Sequence, residues 1–210
     1  MKVEPVQHEP TGAIILAAGA AVRMGQLKQL LPYRGKTLLE HALEQAINSK
    51  FQPVVVVLGA QAHKLKQLVS VYNIEVVENL AWETGMGSSI VAGMEQLLKG
   101  ERIPHAVAIL VADQPLIGTE HLLAMRGLLD STEAPIVAAE YNGTVGVPAI
   151  FRQDMFAALL ALPSEAGARA LLRNSATRVT CFPVPEAAAD IDTPGDLERV
   201  TSEAVARHRT

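Results

Sequence analysis

Short, unbroken apolar runs alternate with longer stretches of helical period along most of this chain. Ala13 to Ala17, Val54 to Leu58 and Val107 to Val111 are continuous apolar runs of strand length. Runs without a polar face suit strands covered on both sides, as in a parallel sheet. Glu75 to Val77 is a weaker strand candidate. Between these runs, Leu38, Leu39, Ala42, Leu43, Ala46 and Ile47 recur at helical spacing, with Thr37 placed as N-cap. Leu65, Leu68 and Val69 mark a second helix. Ile90, Val91, Met94, Leu97 and Leu98 mark a third, with Gly100 as its stop. Leu122 to Leu129 makes a fourth. Strand alternating with helix predicts an α/β domain with a largely parallel sheet.

The later part is less regular. Ile136 to Ala139 and Val147 to Phe151 flank Asn142-Gly143, a hairpin turn signal. Two short helices follow, around Phe156 to Leu162 and Ala168 to Leu172, and Val179 to Phe182 reads as a strand. A final helix starts near Thr193-Pro194, where threonine caps and proline fits the first turn. Residues 1–11 read as a loose N-terminal segment and residues 12–210 as a single domain, with no repeat and no linker.

Composition narrows the class. A chain of 210 residues, 49% hydrophobic but only 4% aromatic, supports one aliphatic core. A formal net charge of -4 without a basic run argues against nucleic-acid binding. The single cysteine, Cys181, cannot form an internal disulfide. It lies in the apolar run Val179 to Val184 and reads as a buried core residue rather than a catalytic thiol. No segment has the apolar length of a membrane span, and the N-terminus does not resemble a signal peptide. A reducing cytoplasm is the simplest setting. The six histidines show no zinc-site spacing; His41 and His63 fall on predicted helices as surface or edge positions.

Three groups of residues carry candidate chemistry: a turn, two acidic stretches and a glycine-serine segment. In the first, the strand Ile14-Ile15-Leu16-Ala17 ends in a turn bearing Gly19, Arg23, Gly25 and Lys28. Glycines let backbone approach a ligand, and the two cations suit a polyphosphate. The dinucleotide fingerprint fails here, with Ala21 and Met24 where it needs glycine. The P-loop fails too, because Leu30 stands where Gly35-Lys36-Thr37 would need an earlier glycine. In the second, Asp113 directly follows a central apolar run, where open α/β sheets place their ligands; a turn or cap aspartate is the plainer reading. Asp190-Ile191-Asp192-Thr193-Pro194 is equally open: Asp192 or Thr193 could simply cap the last helix. In the third, Gly85, Gly87, Ser88 and Ser89 precede a helix whose free amides could face a polar ligand. Ser88 reads either as N-cap or as ligand-facing. Trp82, the only tryptophan, either shields a pocket or packs.

Leu16-Ala17-Ala18-Gly19, Arg23-Met24-Gly25, Lys28, Leu30-Leu31-Pro32, Asp113-Gln114-Pro115 and Asp190-Ile191-Asp192-Thr193-Pro194 occur in that order. Together they resemble the molybdenum cofactor cytidylyltransferases and related nucleotidyltransferases, over roughly Ala13 to Val200. The resemblance implies a single-domain Rossmann-like nucleotidyltransferase fold, a mostly parallel central sheet flanked by helices. It implies that Leu16, Ala17, Ala18, Gly19, Arg23, Gly25, Lys28, Gly85 and Ser88 bind the nucleotide. It implies Mg2+ on Asp113 and Asp192, with Lys28 and Arg23 stabilising departing pyrophosphate, and Asp190 as a local structural carboxylate. Gly146, Pro148 and Arg169 would then lie on the acceptor side. The implied substrates are CTP and molybdopterin cofactor, and the implied protein partner is a molybdoenzyme or its chaperone. Three positions depart from the family pattern: Ala21 replaces a serine, Val147 a histidine or other polar residue and Glu165 an aspartate. Ala18 stands where guanylyl-transferring relatives typically carry glycine, and the implied choice of CTP leans on it. Transfer to a sugar or alcohol phosphate, and a non-catalytic nucleotide carrier, are the competing readings.

Overall fold

The computed structural model describes residues 10–20, 27–174, 178–191, 193 and 195–200. Seven strands form its centre: β1 (Thr11–Ala17), β4 (Val54–Leu58), β5 (Glu75–Glu78), β6 (Ala106–Val111), β7 (Ile136–Tyr141), β8 (Thr144–Arg152) and β9 (Val179–Pro183). They make one sheet in the order β5-β4-β1-β6-β8-β7-β9. Two short strands, β2 (Pro32–Tyr33) and β3 (Lys36–Thr37), form a separate hairpin. Only β8 runs against its neighbours in the large sheet; the β5-β4-β1-β6 block and the β7-β9 pair are parallel.

The helices are α1 (Leu38–Asn48), α2 (Ala62–Val69), α3 (Met86–Leu97), α4 (Thr119–Asp130), α5 (Phe156–Leu160) and α6 (Ala168–Asn174); residues 195–200 are also helical. Alternate strand residues point to opposite faces, so each apolar run feeds two cores. Ala13, Ile15, Val56 and Leu58 pack with Leu39, Leu43, Leu65, Leu122 and Met125, which places α1, α2 and α4 on one face. Ile14, Leu16, Val55 and Val57 pack with Ile90, Met94, Leu159 and Leu172, which places α3, α5 and α6 on the other. That two-sided burial is why β1, β4 and β6 read as unbroken apolar runs.

Local signals hold at most boundaries. Thr37 caps α1 in a full capping box with Glu40. Thr193 and Asp196 make the same reciprocal contacts ahead of residues 195–200: Thr193 N–H donates to Asp196 at 2.9 Å and Asp196 N–H to Thr193 Oγ1 at 3.3 Å. Asn142 and Gly143, both at positive φ, turn β7 into β8.

Three expectations need correction. Gly100 does not end α3; Leu98 caps it in a right-handed conformation, its N–H bonded to Met94 and Gln96 carbonyls. Thr11, assigned to the loose N-terminal segment, is buried and already belongs to β1, while residues 1–9 lie outside the described residues. Cys181 is exposed, not buried. It sits on β9, whose sheet neighbour among the described residues is β7 alone, so its apolar run signals a strand without covering both faces. Partial desolvation, then the Glu140 carboxylate, push its thiol pKa up, which disfavours the reactive thiolate. His63 is exposed as expected; His41 is half-buried edge-on to Tyr33, and desolvation lowers its pKa.

Candidate active site

After β1 the chain goes to β4 on one side, and later returns to β6 on the other. The C-terminal ends of β1 and β6 are therefore neighbours at a switch point, where open α/β sheets bind ligands. Gly19 follows one end and Asp113 the other. A cleft of about 360 Å³ opens between them.

Lys28 enters this cleft from a one-turn 3-10 segment, Lys28–Leu30. Its ammonium lies 2.5 Å from Asp113 Oδ2, with the two side chains 20% and 22% exposed. The same ammonium donates to the Ile191 carbonyl at 3.2 Å. Ile191 N–H in turn donates to the Asp113 carbonyl at 3.1 Å. Ile191 is buried beside Leu31, Tyr33 and Leu38, a small core below the β2-β3 hairpin. The backbone of a segment far along the chain is thus bound to the Lys28 ammonium and to the Asp113 main chain.

The opposite wall comes from α3 and the segment before it. Asn79, buried, donates to Ser88 Oγ at 2.8 Å and Ser89 Oγ at 3.0 Å, and accepts from Ala81 N–H at 2.9 Å. This arrangement ties the 3-10 turn Trp82–Thr84 to the start of α3. Gly87 allows a close backbone approach: a Cβ there would stand 2.0 Å from the Pro163 carbonyl oxygen. Ser88 N–H donates to the Ser164 carbonyl at 3.3 Å, so one of the first amides of α3 is already engaged by the chain.

Of the residues expected to bind nucleotide, Leu16, Ala17, Ala18, Gly19, Lys28 and Gly85 line the cleft, as does Asp113. Ser88 does not; its hydroxyl faces Asn79, Ala81 and Gly85. Ser89, one helical step on, lines the cleft instead. Trp82 does both things open to it, bordering the cleft and packing on Gly59. Gln29, Glu83, Met86, Val111 and Ala112 also line it, and no sequence motif points to them. Gly146, Pro148 and Arg169 lie elsewhere. Gly146 leaves room for the Tyr141 hydroxyl, to which Arg169 donates at 3.4 Å, while Pro148 borders a void of about 10 Å³ beside Leu110 and Gln114. Arg23, Gly25 and Asp192 lie outside the described residues.

A divalent ion is compatible with this chemistry. Asp113 offers hard oxygen at the cleft, and magnesium is commonly held by one or two carboxylates plus substrate phosphate oxygens. The described residues contain no group of three or more acidic, histidine or cysteine ligands that would cage an ion without a substrate. Lys28 neutralises Asp113 in this structure.

Residues 13–179 match the MobA-like NTP transferase domain. The chain belongs to that family, and it is a nucleotidyltransferase. Nicotine blue oxidoreductase of Paenarthrobacter nicotinovorans is 30% identical over 198 residues, spanning 89% of this chain and 94% of that protein. The purine catabolism protein PucB of Bacillus subtilis is 29% identical over 201 residues, with the same shares covered. Among solved structures, Rv0371c of Mycobacterium tuberculosis superposes with a TM-score of 0.75 at 26% identity, covering 92% of this chain and 98% of that one. A manganese complex of Rv0371c superposes with a TM-score of 0.72 at 24% identity, covering 92% and 98%. No helix among the described residues is long and apolar enough to cross a membrane.

Proposed function

We propose that this protein transfers CMP from CTP to the phosphate of molybdopterin cofactor and releases pyrophosphate. The observation that carries the reading is the clasp of Lys28, Asp113 and Ile191 at the switch point. It gathers a cation and a carboxylate beside a backbone turn, which is what aligning and neutralising a triphosphate requires. The acceptor's phosphate oxygen attacks the α-phosphorus, the bond to the bridging oxygen breaks, and pyrophosphate departs with that electron pair. Asp113 and Asp192 would hold Mg2+, which supplies charge neutralisation between the reacting phosphates when bound. The anchoring of Ile191, the residue before Asp192 in sequence, supports that pairing. Lys28 and Arg23 would stabilise the leaving pyrophosphate.

The turn Leu16 to Gly19, with Gly25, Gly85 and either Ser88 or Ser89, would hold the nucleotide. Gly146, Pro148 and Arg169 would lie toward the acceptor. Nucleotidyl transfer fits better than redox chemistry, because the turn after β1 lacks the dinucleotide fingerprint. The setting would be the cytoplasm, and the product would pass to a molybdoenzyme or its chaperone. A pyrophosphate-release screen pairing CTP, GTP, ATP and UTP with molybdopterin cofactor, sugar phosphates and alcohol phosphates tests this reading. Release that depends on CTP and molybdopterin cofactor is expected. Release only with another phosphate would move the acceptor, and binding without release from any pair would favour a carrier.

A further inference from the structure

Gln29 follows Lys28 in the 3-10 turn and is only 3% exposed, although it borders the cleft. Its Nε2 donates to two main-chain carbonyls, Ala17 at 2.9 Å and Gly19 at 2.8 Å. The orientation of the amide follows from its partners: both are acceptors, and a flipped amide would set Oε1 against two carbonyl oxygens. Gln29 Oε1 is left buried with no hydrogen-bond partner among the described residues. An orphaned buried acceptor costs stability, and here it is offset by the two bonds that Nε2 makes to the carbonyls. The glutamine therefore supplies something other than packing.

We propose that Gln29 is a positioning residue for the nucleotide-binding turn, an inference that rests on reading the cleft as the nucleotide site. The carbonyls it holds belong to the peptide units 17–18 and 19–20. A planar trans peptide sends its N–H opposite its carbonyl, so the amides of Ala18 and Ala20 are directed away from Gln29. The intervening Ala18 carbonyl accepts from Ala60 N–H at 3.0 Å. Three successive peptide units leaving β1 are thus held by partners outside the turn. A nucleoside triphosphate meets backbone dipoles that are already oriented, and the ordering cost is not taken from binding. Lys28 brings charge to the cleft; Gln29 brings geometry.

The test separates affinity from stability in the full-length protein. Equilibrium binding of Mg-CTP and the thermal midpoint are measured for the unmodified protein, Gln29→Met, Gln29→Glu and a distant core control, Leu129→Ala. Gln29→Met removes the clamp and the orphaned oxygen together. It should weaken Mg-CTP binding about tenfold or more, by loss of preorganisation, while losing less thermal midpoint than the control. Gln29→Glu, which sets carboxylate oxygens against the two carbonyls, should bind as weakly. Leu129→Ala should lose midpoint and keep affinity. Unchanged affinity in Gln29→Met overturns the inference while leaving the nucleotide reading intact. Failure of both Gln29 variants to fold would make Gln29 a fold residue and overturn it too. Failure of the unmodified protein to bind any of the common nucleoside triphosphates removes the nucleotide reading itself, and this inference with it.

Discussion

The two halves of the sheet are built differently. In β5, β4, β1 and β6 all strands are parallel, and the ends of β1 and β6 supply cleft-lining residues. Of β8, β7 and β9 the first is inverted. β8 is antiparallel to both neighbours, and its register against β7 shifts so that Val147 and Pro148 bulge out between the pairs Ala138–Ala149 and Ala139–Gly146. The first half presents backbone and charge at strand ends. The second presents a bulge and packed side chains, which re-aim individual residues. Departures from the family pattern at Val147 and Glu165 fall in this second half. On the function proposed above, reaction type would be carried by the parallel half and acceptor choice by the half with the reversed strand.

The largest expected effect lies in the parallel half. Asp113→Asn keeps size but removes a charge from the proposed cation site, and it breaks the pairing with Lys28. Turnover should fall about 100-fold or more, as when a main electrostatic stabiliser is lost. Near-normal turnover at saturating magnesium would return Asp113 to a turn-forming role and undo the contrast between the halves.

The seam between the halves comes next. Gly87 on α3 lies against the segment that leads into α6, and an added Cβ would stand 2.0 Å from the Pro163 carbonyl oxygen. The obstacle is backbone, so it cannot rotate away. Gly87→Ala should cost about 1–3 kcal/mol of stability through overpacking. Denaturant unfolding measures this, and a loss within error of zero would mean that the two segments separate freely.

Much of the parallel half is legible in the amino-acid sequence. Runs such as Val54 to Leu58 stay apolar because helices cover both faces, and the Thr37 and Thr193 boxes are local chemistry. Asp113 stands out because it lies just beyond the end of the central strand β6. Other site residues are hidden by geometry that no spacing reveals. Ser88 and Ser89 are adjacent, and about 100° of helical rotation decides which faces the cleft. Gln29 carries a polar side chain whose burial depends on carbonyls ten and twelve positions away in sequence. In the second half the Asn142-Gly143 turn is readable. The bulge at Val147-Pro148 is not, because it depends on the register of β8 against β7, which no local spacing reveals. Cys181 misleads for a related reason, since an apolar run on an outer strand resembles one in the centre.

A smaller effect would sharpen the contrast within the parallel half itself. Ala18 lines the cleft and is nearly buried, so its methyl group takes space where a base could approach. CTP should be preferred to GTP by about 10-fold in turnover efficiency, or about 1.4 kcal/mol. Ala18→Gly should narrow that gap. Competition kinetics with both nucleotides and molybdopterin cofactor decide it, and equal use of GTP by the unmodified protein would remove the cytidylyl preference while keeping the transfer.

The smallest effect is expected at Arg169, and it probes the second half. Arg169 is exposed on α6, and its one described hydrogen bond is to the Tyr141 hydroxyl at 3.4 Å, a long contact. Losing that contact should cost no more than about 0.5 kcal/mol of stability, as for other exposed positions. If the guanidinium also meets an acceptor phosphate, Arg169→Ala should raise the KM for acceptor by about 5–10-fold, roughly one charge-assisted hydrogen bond, and leave the KM for nucleotide unchanged. The split between the two constants is the informative quantity. A rise in both would place Arg169 on the nucleotide side of the seam, and a rise in neither would leave the bulge at Val147-Pro148 as the remaining candidate for reading the acceptor.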